Sequence, residues 1–308
     1  MDFGSKILTH REPKACGAVV ARRRRVPEPV RGGSLVRLRA GWFALPAHDE
    51  RAAAAVRDGG VLTCVDALRF HELWVPPGHG GLHLRRSTNL TGVNVACRPF
   101  GGSLRTATRA VDPVPVALAY AARCLSDEEW IAVGDSYLNL TGKTRADLRS
   151  ELRGAGRTVE RRIAKTDRRA QSGTESIARV RLRSAGFDVT VQPYVEGVGW
   201  ADLRIGRLLI ECDSVLHHAT RTGYANDRRR DRRALVDGWL TLRLTYDDVL
   251  YGWDAVLADI KAVTARDRHR ARSAKHRAML QRSVLMSTGE GTSPEDGSDG
   301  TDLSTAVD

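Results

Sequence analysis

The chain has 308 residues, 42% hydrophobic and 28% charged, enough apolar content to bury a core, which excludes wholesale disorder and fibrous architectures. Its formal net charge is +12, and the six acids beyond Arg282, where no Lys or Arg remains, leave +18 on residues 1–282. That is the electrostatic footprint of a nucleic-acid partner, although 43 of the basic residues are Arg, a bias that a GC-rich genome also produces.

In chain order, residues 1–30 hold the basic run Arg22-Arg23-Arg24-Arg25, and Pro27 and Pro29 forbid a helix through it. Residues 34–46 alternate apolar and basic side chains before Gly41 and resume with Trp42 and Phe43, which predicts a β-hairpin with Arg37 and Arg39 on a basic face. Helices are predicted over 49–57 and 63–72, and short strands over 82–84 and 93–97. Three more helices follow over 115–124, 128–138 and 143–152, the last capped by Thr141. The Arg-rich stretch 153–171 reads as a basic connector.

From residue 172 the pattern tightens. Thr174 is placed to cap a helix over 175–185; strands follow over 187–195, 200–205 and 208–212, then a very basic helix over 226–237, a strand over 239–245 and a closing helix over 253–263. This order predicts one compact α/β unit. Residues 266–308 turn from basic to acidic and read as disordered toward the end. No apolar run approaches the roughly 18 to 20 residues of a membrane helix, and no signal-peptide segment opens the chain, so a cytoplasmic protein without a membrane partner is predicted. Cys16, Cys64, Cys97, Cys124 and Cys212 are scattered without any C-x-x-C spacing, which indicates reduced thiols and neither a disulfide framework nor a zinc knuckle.

One local argument is geometric. If Gly206-Arg207 is a two-residue hairpin turn, Ile205 faces Leu208, Arg204 faces Leu209, Leu203 faces Ile210 and Asp202 faces Glu211. The two-residue period sets Asp213 on the face of Glu211, so three acids gather at the open end of the hairpin. Opposed like charges are unfavourable unless offset, and a hard divalent cation held by oxygen would offset them. A solvated hairpin mouth is the competing reading. It is weakened by the apolar run Leu208-Leu209-Ile210, which leads the acids out of a buried strand.

Glu175, Gln192, Trp200-Ala201-Asp202, Ile210-Glu211-Cys212-Asp213, His217-His218, Asp227 with Arg230, Leu235, Gly238-Trp239, the run 242–245 and Asp247-Asp248-Val249 occur together in one order. In that order residues 172–265 resemble the very-short-patch-repair (Vsr)-like branch of the PD-(D/E)XK nuclease superfamily. More loosely, residues 34–150 resemble the N-terminal part of AbiEi-type antitoxin regulators, in the strand pattern of 35–45 and in helices near 62–73 and 116–125. The resemblance implies an α/β fold class: a C-terminal restriction-endonuclease-like α/β core over 172–265, preceded by a mainly α N-terminal region containing a small wing hairpin. Residues 1–80 would be a degenerate winged-helix-like DNA-binding region, and 81–152 an AbiEi-like middle region.

The activity implied is metal-dependent phosphodiester hydrolysis, as a DNA endonuclease or nicking enzyme. Asp202 and Glu211 would hold Mg²⁺ (or Mn²⁺), with Glu175 and Asp213 completing the acidic set, Gln192 positioning a water and His218 acting as general acid or base. Asp213 stands where the wider superfamily often has Lys, and Ser214 where the Vsr-like branch has Gly. The basic helix would bring Arg228, Arg229, Arg232 and Arg233 to DNA phosphates, and Arg37 and Arg39 would add contacts from the hairpin. The alternative is an AbiEi-like DNA-binding transcriptional regulator or antitoxin, with a non-catalytic nuclease-like domain and a cognate toxin as partner.

Overall fold

The computed structural model describes residues 18–20, 35–86, 97–98, 107, 109–212, 229–230, 232–265 and 278–283. The alternation before Gly41 forms the predicted hairpin, in which β2 (Val36–Arg39) turns into β3 (Trp42–Ala44). A further strand, β1 (Ala18–Val20), pairs antiparallel with the other edge of β3 and lies where no element was expected. Trp42 packs against Val56, Val61 and Ala110, so one face of this small sheet is buried. The other keeps Arg37 exposed, while the Arg39 guanidinium lies 5.2 Å from the centre of the Trp42 ring.

A helical layer follows. Helix α1 (Glu50–Arg57) is capped by Asp49, whose carboxylate accepts from Ala52 N. β4 (Val61–Leu62) and β5 (Leu84–Arg85) pair antiparallel around α2 (Cys64–Phe70). Then come α3 (Val114–Ala121), α4 (Asp127–Thr141), α5 (Arg145–Glu151) and α6 (Arg157–Ile163). α4 opens with a capping box between Ser126 and Glu129 and stops at Gly142, whose φ of 68° suits a residue without Cβ. Thr141 is the last residue of α4; α5 is capped by Thr144 instead. The expected connector over 153–171 contains α6, because its arginines surround an apolar pair: Val159 and Ile163 enter the helical core. Arg162 is itself buried, donating to Asp127 Oδ1 at 2.7 Å and to the Ala122 carbonyl at 2.8 Å.

The C-terminal half sets α7 (Gly173–Ser184) against a sheet made of β6 (Thr190–Val191), β9 (Leu203–Ile205), β10 (Leu208–Cys212) and β11 (Leu240–Leu244). The spatial order is β11-β10-β9-β6, with β10 and β11 parallel and the other pairs antiparallel. The expected strand over 187–195 is broken at Gln192-Pro193, after which β7 (Tyr194–Val195) and β8 (Gly199–Trp200) form their own hairpin. Ser172, not Thr174, caps α7 by accepting from Glu175 N at 3.1 Å, so the helix starts earlier and Glu175 falls in its first turn. α8 (Tyr246–Leu250) and α9 (Trp253–Thr264) close the sheet's core. Among the described residues no helix is long and apolar enough to cross a membrane.

The architecture is mixed α/β, and its halves interlock. Ala132 of α4 packs into the sheet's core and Val180 of α7 into the helical core. Gly173 lies so close to Trp74 that a Cβ there would fall 2.0 Å from the indole. Between the helices, Arg179 Nη2 donates to Asp135 Oδ2 at 2.6 Å with both side chains 1% exposed.

Removing one partner of a buried ion pair strands the other charge, so Asp135→Ala is expected to cost about 3 kcal/mol or more in urea unfolding. Arg149→Ala breaks a pair with Glu160 in which both side chains are about half exposed, and is expected to cost less than about 1 kcal/mol. Equal shifts of the urea midpoint would refute the buried pair's role.

Candidate active site

The turn that aligns the acids forms as the sequence predicts. Gly206 has φ 58° while Arg207 stays at negative φ, the pattern of a type II′ turn. The pairs Ile205 with Leu208, Arg204 with Leu209 and Leu203 with Ile210 are all present. The ladder ends there. Asp202 lies just before β9, and its Oδ2 accepts the Cys212 backbone N–H at 2.7 Å, so a carboxylate takes the place of a carbonyl at the hairpin's mouth. Glu211, in β10, is in register with Arg243 of the parallel strand β11.

Glu175 reaches this mouth from the first turn of α7 and is 4% exposed. Its nearest tie to Asp202 is Gln192, whose Nε2 donates to Glu175 Oε2 at 2.9 Å and to Asp202 Oδ1 at 3.2 Å. Gln192 is fixed by its own backbone, which donates to the Asp202 carbonyl at 2.9 Å. Its φ of 47° is costly for a residue with a Cβ, on the order of 1–2 kcal/mol, and the strain breaks the strand where the amide must turn inward. Gln171 supports both partners, donating from its backbone N to Glu175 Oε2 at 3.0 Å and from Nε2 to Gln192 Oε1 at 3.3 Å. Burial first, and the charge of Asp202 second, push the Glu175 carboxyl up to about 7 against these hydrogen bonds.

Arg230 holds the opposite side of the mouth. Its Nε donates to the Val198 carbonyl at 2.9 Å, and its Nη2 donates to the Trp200 carbonyl and to Glu211 Oε1, the latter at 3.2 Å. Arg230 is not among the predicted phosphate contacts; of those that are, Arg229, Arg232 and Arg233 are exposed, and Arg233 pairs with Asp237 at 2.9 Å. Asp213, His217, His218 and Arg228 lie outside the described residues. The structure therefore brings together Glu175, Asp202 and Gln192, while Glu211, on β10, is held by Arg230, and the oxygens of the three acids do not all lie within 4.8 Å of one another.

No family model, curated protein or solved structure matches the chain.

A second group of chemistry-bearing residues gathers thiols that are scattered along the sequence, and they are free cysteines, as expected of reduced thiols. Cys64, His83, Cys97 and Cys124 have ligand atoms that all lie within 4.8 Å of one another, and among the described residues no other set of three or more His, Cys, Asp or Glu does so. The sulfur atoms hydrogen-bond one another, holding the Cys64 and Cys97 thiols above the ordinary range and Cys124 below it. Spacings of 18, 13 and 26 intervening residues follow no metal-ligand motif, so the sequence gives no sign of this convergence.

Glu175 supplies a pH test. An acid whose folded value, about 7, exceeds its ordinary 4.5 binds more protons when folded, so its stabilisation is complete below about 4.5 and lost as pH rises through about 7. Without added metal, Glu175→Gln is expected to gain thermal stability relative to wild type between about pH 5 and about pH 8. Parallel midpoint-versus-pH curves for the two proteins would refute it.

Proposed function

We propose that residues 172–265 form a metal-dependent nuclease centre that hydrolyses DNA phosphodiester bonds. The observation that carries the reading is the pairing of two carboxylates, Glu175 and Asp202, on the single amide of Gln192, with Glu211 following the last paired residue of β10. Burial first, and the charge of Asp202 second, raise the Glu175 carboxyl there. The succession of α7, three antiparallel strands, a basic helical segment and a parallel fourth strand supports a restriction-endonuclease-like core.

Carboxylate oxygens suit a hard cation, which would relieve their mutual repulsion, and binding one here would have to draw Glu175, Asp202 and Glu211 closer, since their oxygens do not all lie within 4.8 Å of one another. Asp202 and Glu211 would hold Mg²⁺ (or Mn²⁺), which when bound polarises a phosphate and lowers the pKa of an attacking water, with Glu175 completing the acidic set. The chain's own residues do the rest. Gln192 orients two carboxylates at once, and the Cys212 amide fixes the remaining oxygen of Asp202. His218, as general acid or base, would move the proton at the attacking or leaving oxygen. Arg229 and Arg232 are exposed on the segment that carries Arg230 and would take DNA phosphates, with Arg37 and Arg39 adding contacts from the N-terminal hairpin. A cytoplasmic location accords with this substrate.

One contact favours the second reading, a DNA-binding regulator or antitoxin with a silent centre and a toxin partner. Arg230 already neutralises Glu211, as a cation would in an active site.

Supercoiled plasmid distinguishes them. The purified protein is expected to nick it only with Mg²⁺ or Mn²⁺, and Asp202→Asn and Glu211→Ala are each expected to lower the rate by about a hundredfold or more. DNA binding by all three proteins with no nicking under either metal would leave the regulator. For contact with DNA, Arg232→Ala is expected to reduce the slope of log K against log salt by about 1. Arg233→Ala should change it less, because Asp237 already pairs with that guanidinium.

A further inference from the structure

Cys64, His83, Cys97 and Cys124 reach one point from four separate stretches of the N-terminal half. Cys64 is the first residue of α2, and His83 immediately precedes β5. Cys97 lies beside β5, donating its backbone N–H to the Leu84 carbonyl at 2.8 Å, and Cys124 sits in the turn after α3. We propose that these four side chains bind one zinc ion as a closed, tetrahedral Cys₃His structural site. The inference is independent of whether the acidic centre cuts DNA.

Distances carry it. Zinc at about 2.3 Å from sulfur and about 2.0–2.1 Å from nitrogen sets two sulfurs about 3.8 Å apart and a sulfur about 3.5 Å from the nitrogen, the edges of one tetrahedron. Cys97 Sγ lies 3.9 Å from Cys124 Sγ and 3.4 Å from His83 Nδ1. A disulfide would bring the two sulfurs to about 2.05 Å, and a two-iron cluster would spread four ligands over two metals, whereas all four atoms here lie within 4.8 Å of one another. Three soft sulfurs and an imidazole select zinc over the magnesium or manganese suited to the carboxylates. Four protein ligands fill the coordination sphere, which marks a structural rather than a catalytic role.

The backbone around the ligands is already committed. Cys64 adopts φ 53°, a left-handed conformation that a residue with a Cβ rarely takes. The peptide of His83 is held on both sides, its N–H donating to Asp66 Oδ2 at 2.8 Å and its carbonyl accepting from Thr63 N at 3.0 Å. Cys64 belongs to the helical core, and Cys97 and Cys124 pack against it, so an ion here would tie α2, β5 and the end of α3 into one unit.

The test is elemental analysis of the full-length protein after gel filtration. About one zinc per chain is expected, lost in Cys97→Ser and Cys124→Ser and retained in Cys212→Ser, whose sulfur lies on β10 in the other core. Cobalt exchanged into the wild type should give thiolate-to-metal charge transfer and the intense visible bands of a tetrahedral ion, which keeps the test open if the serine variants fail to fold. Chelation is expected to lower the thermal midpoint by about 5 °C or more. Zinc retained in both serine variants, iron with sulfide in its place, or a metal-free protein with a Cys97–Cys124 disulfide found by thiol titration would each overturn the proposal.

Discussion

Arg179 and Asp135 meet at 2.6 Å in a place where neither charge could be buried alone. Asp135 also accepts the Asp167 backbone N–H at 2.6 Å, and Arg179 donates to the Lys165 carbonyl at 2.9 Å, so the pair gathers α4, α7 and the chain that joins them. Burial outweighs the attraction of Arg179 and pushes the Asp135 carboxyl up to about 6, a measure of how little water reaches it. Glu175 stands four residues before Arg179 on α7, hence on the same face. Fixing α7 against α4 therefore fixes the carboxylate that the helix brings to the hairpin mouth, and Gly173 against Trp74 holds the start of the same helix.

The two candidate metal chemistries are separated by ligand type. The hairpin mouth offers carboxylate oxygens in the C-terminal half; the cluster beside α2 offers sulfur and imidazole in the N-terminal half. Hard and soft donor sets do not compete for the same ion. They also differ in completeness: the sulfur cluster has four ligand atoms within one small sphere, while at the acidic mouth Gln192 and Arg230 occupy carboxylate oxygens with neutral or cationic hydrogen bonds.

Much of the C-terminal half was legible in the residues. Gly206-Arg207 between two apolar runs specifies a two-residue turn, and the turn sets the register of every pair up to Leu203 and Ile210. The predicted opposition of Asp202 and Glu211 did not continue the ladder, because an Asp side chain can satisfy the Cys212 N–H itself. Helix starts were off by a few residues at α5 and α7, where several Ser and Thr residues competed for the cap and neighbouring geometry chose Thr144 and Ser172. α6 was hidden because a two-residue apolar face among arginines is too narrow a periodic signal.

The sequence by itself determined the hairpins, the helices with a clear apolar face, the basic surface charge and the identity of the acids that share one end of the β9–β10 hairpin. These are local properties, set by turn chemistry, side-chain period and composition. Tertiary structure alone decided that Glu175 and Asp202 share Gln192, that Arg230 rather than a neighbour on its own helix neutralises Glu211, that Arg179 is buried against Asp135, and that four residues spread over 61 positions put their sulfurs and imidazole together. Each of these joins residues from elements that meet only when two cores pack, and no spacing along the chain encodes which side chains then point into the same space.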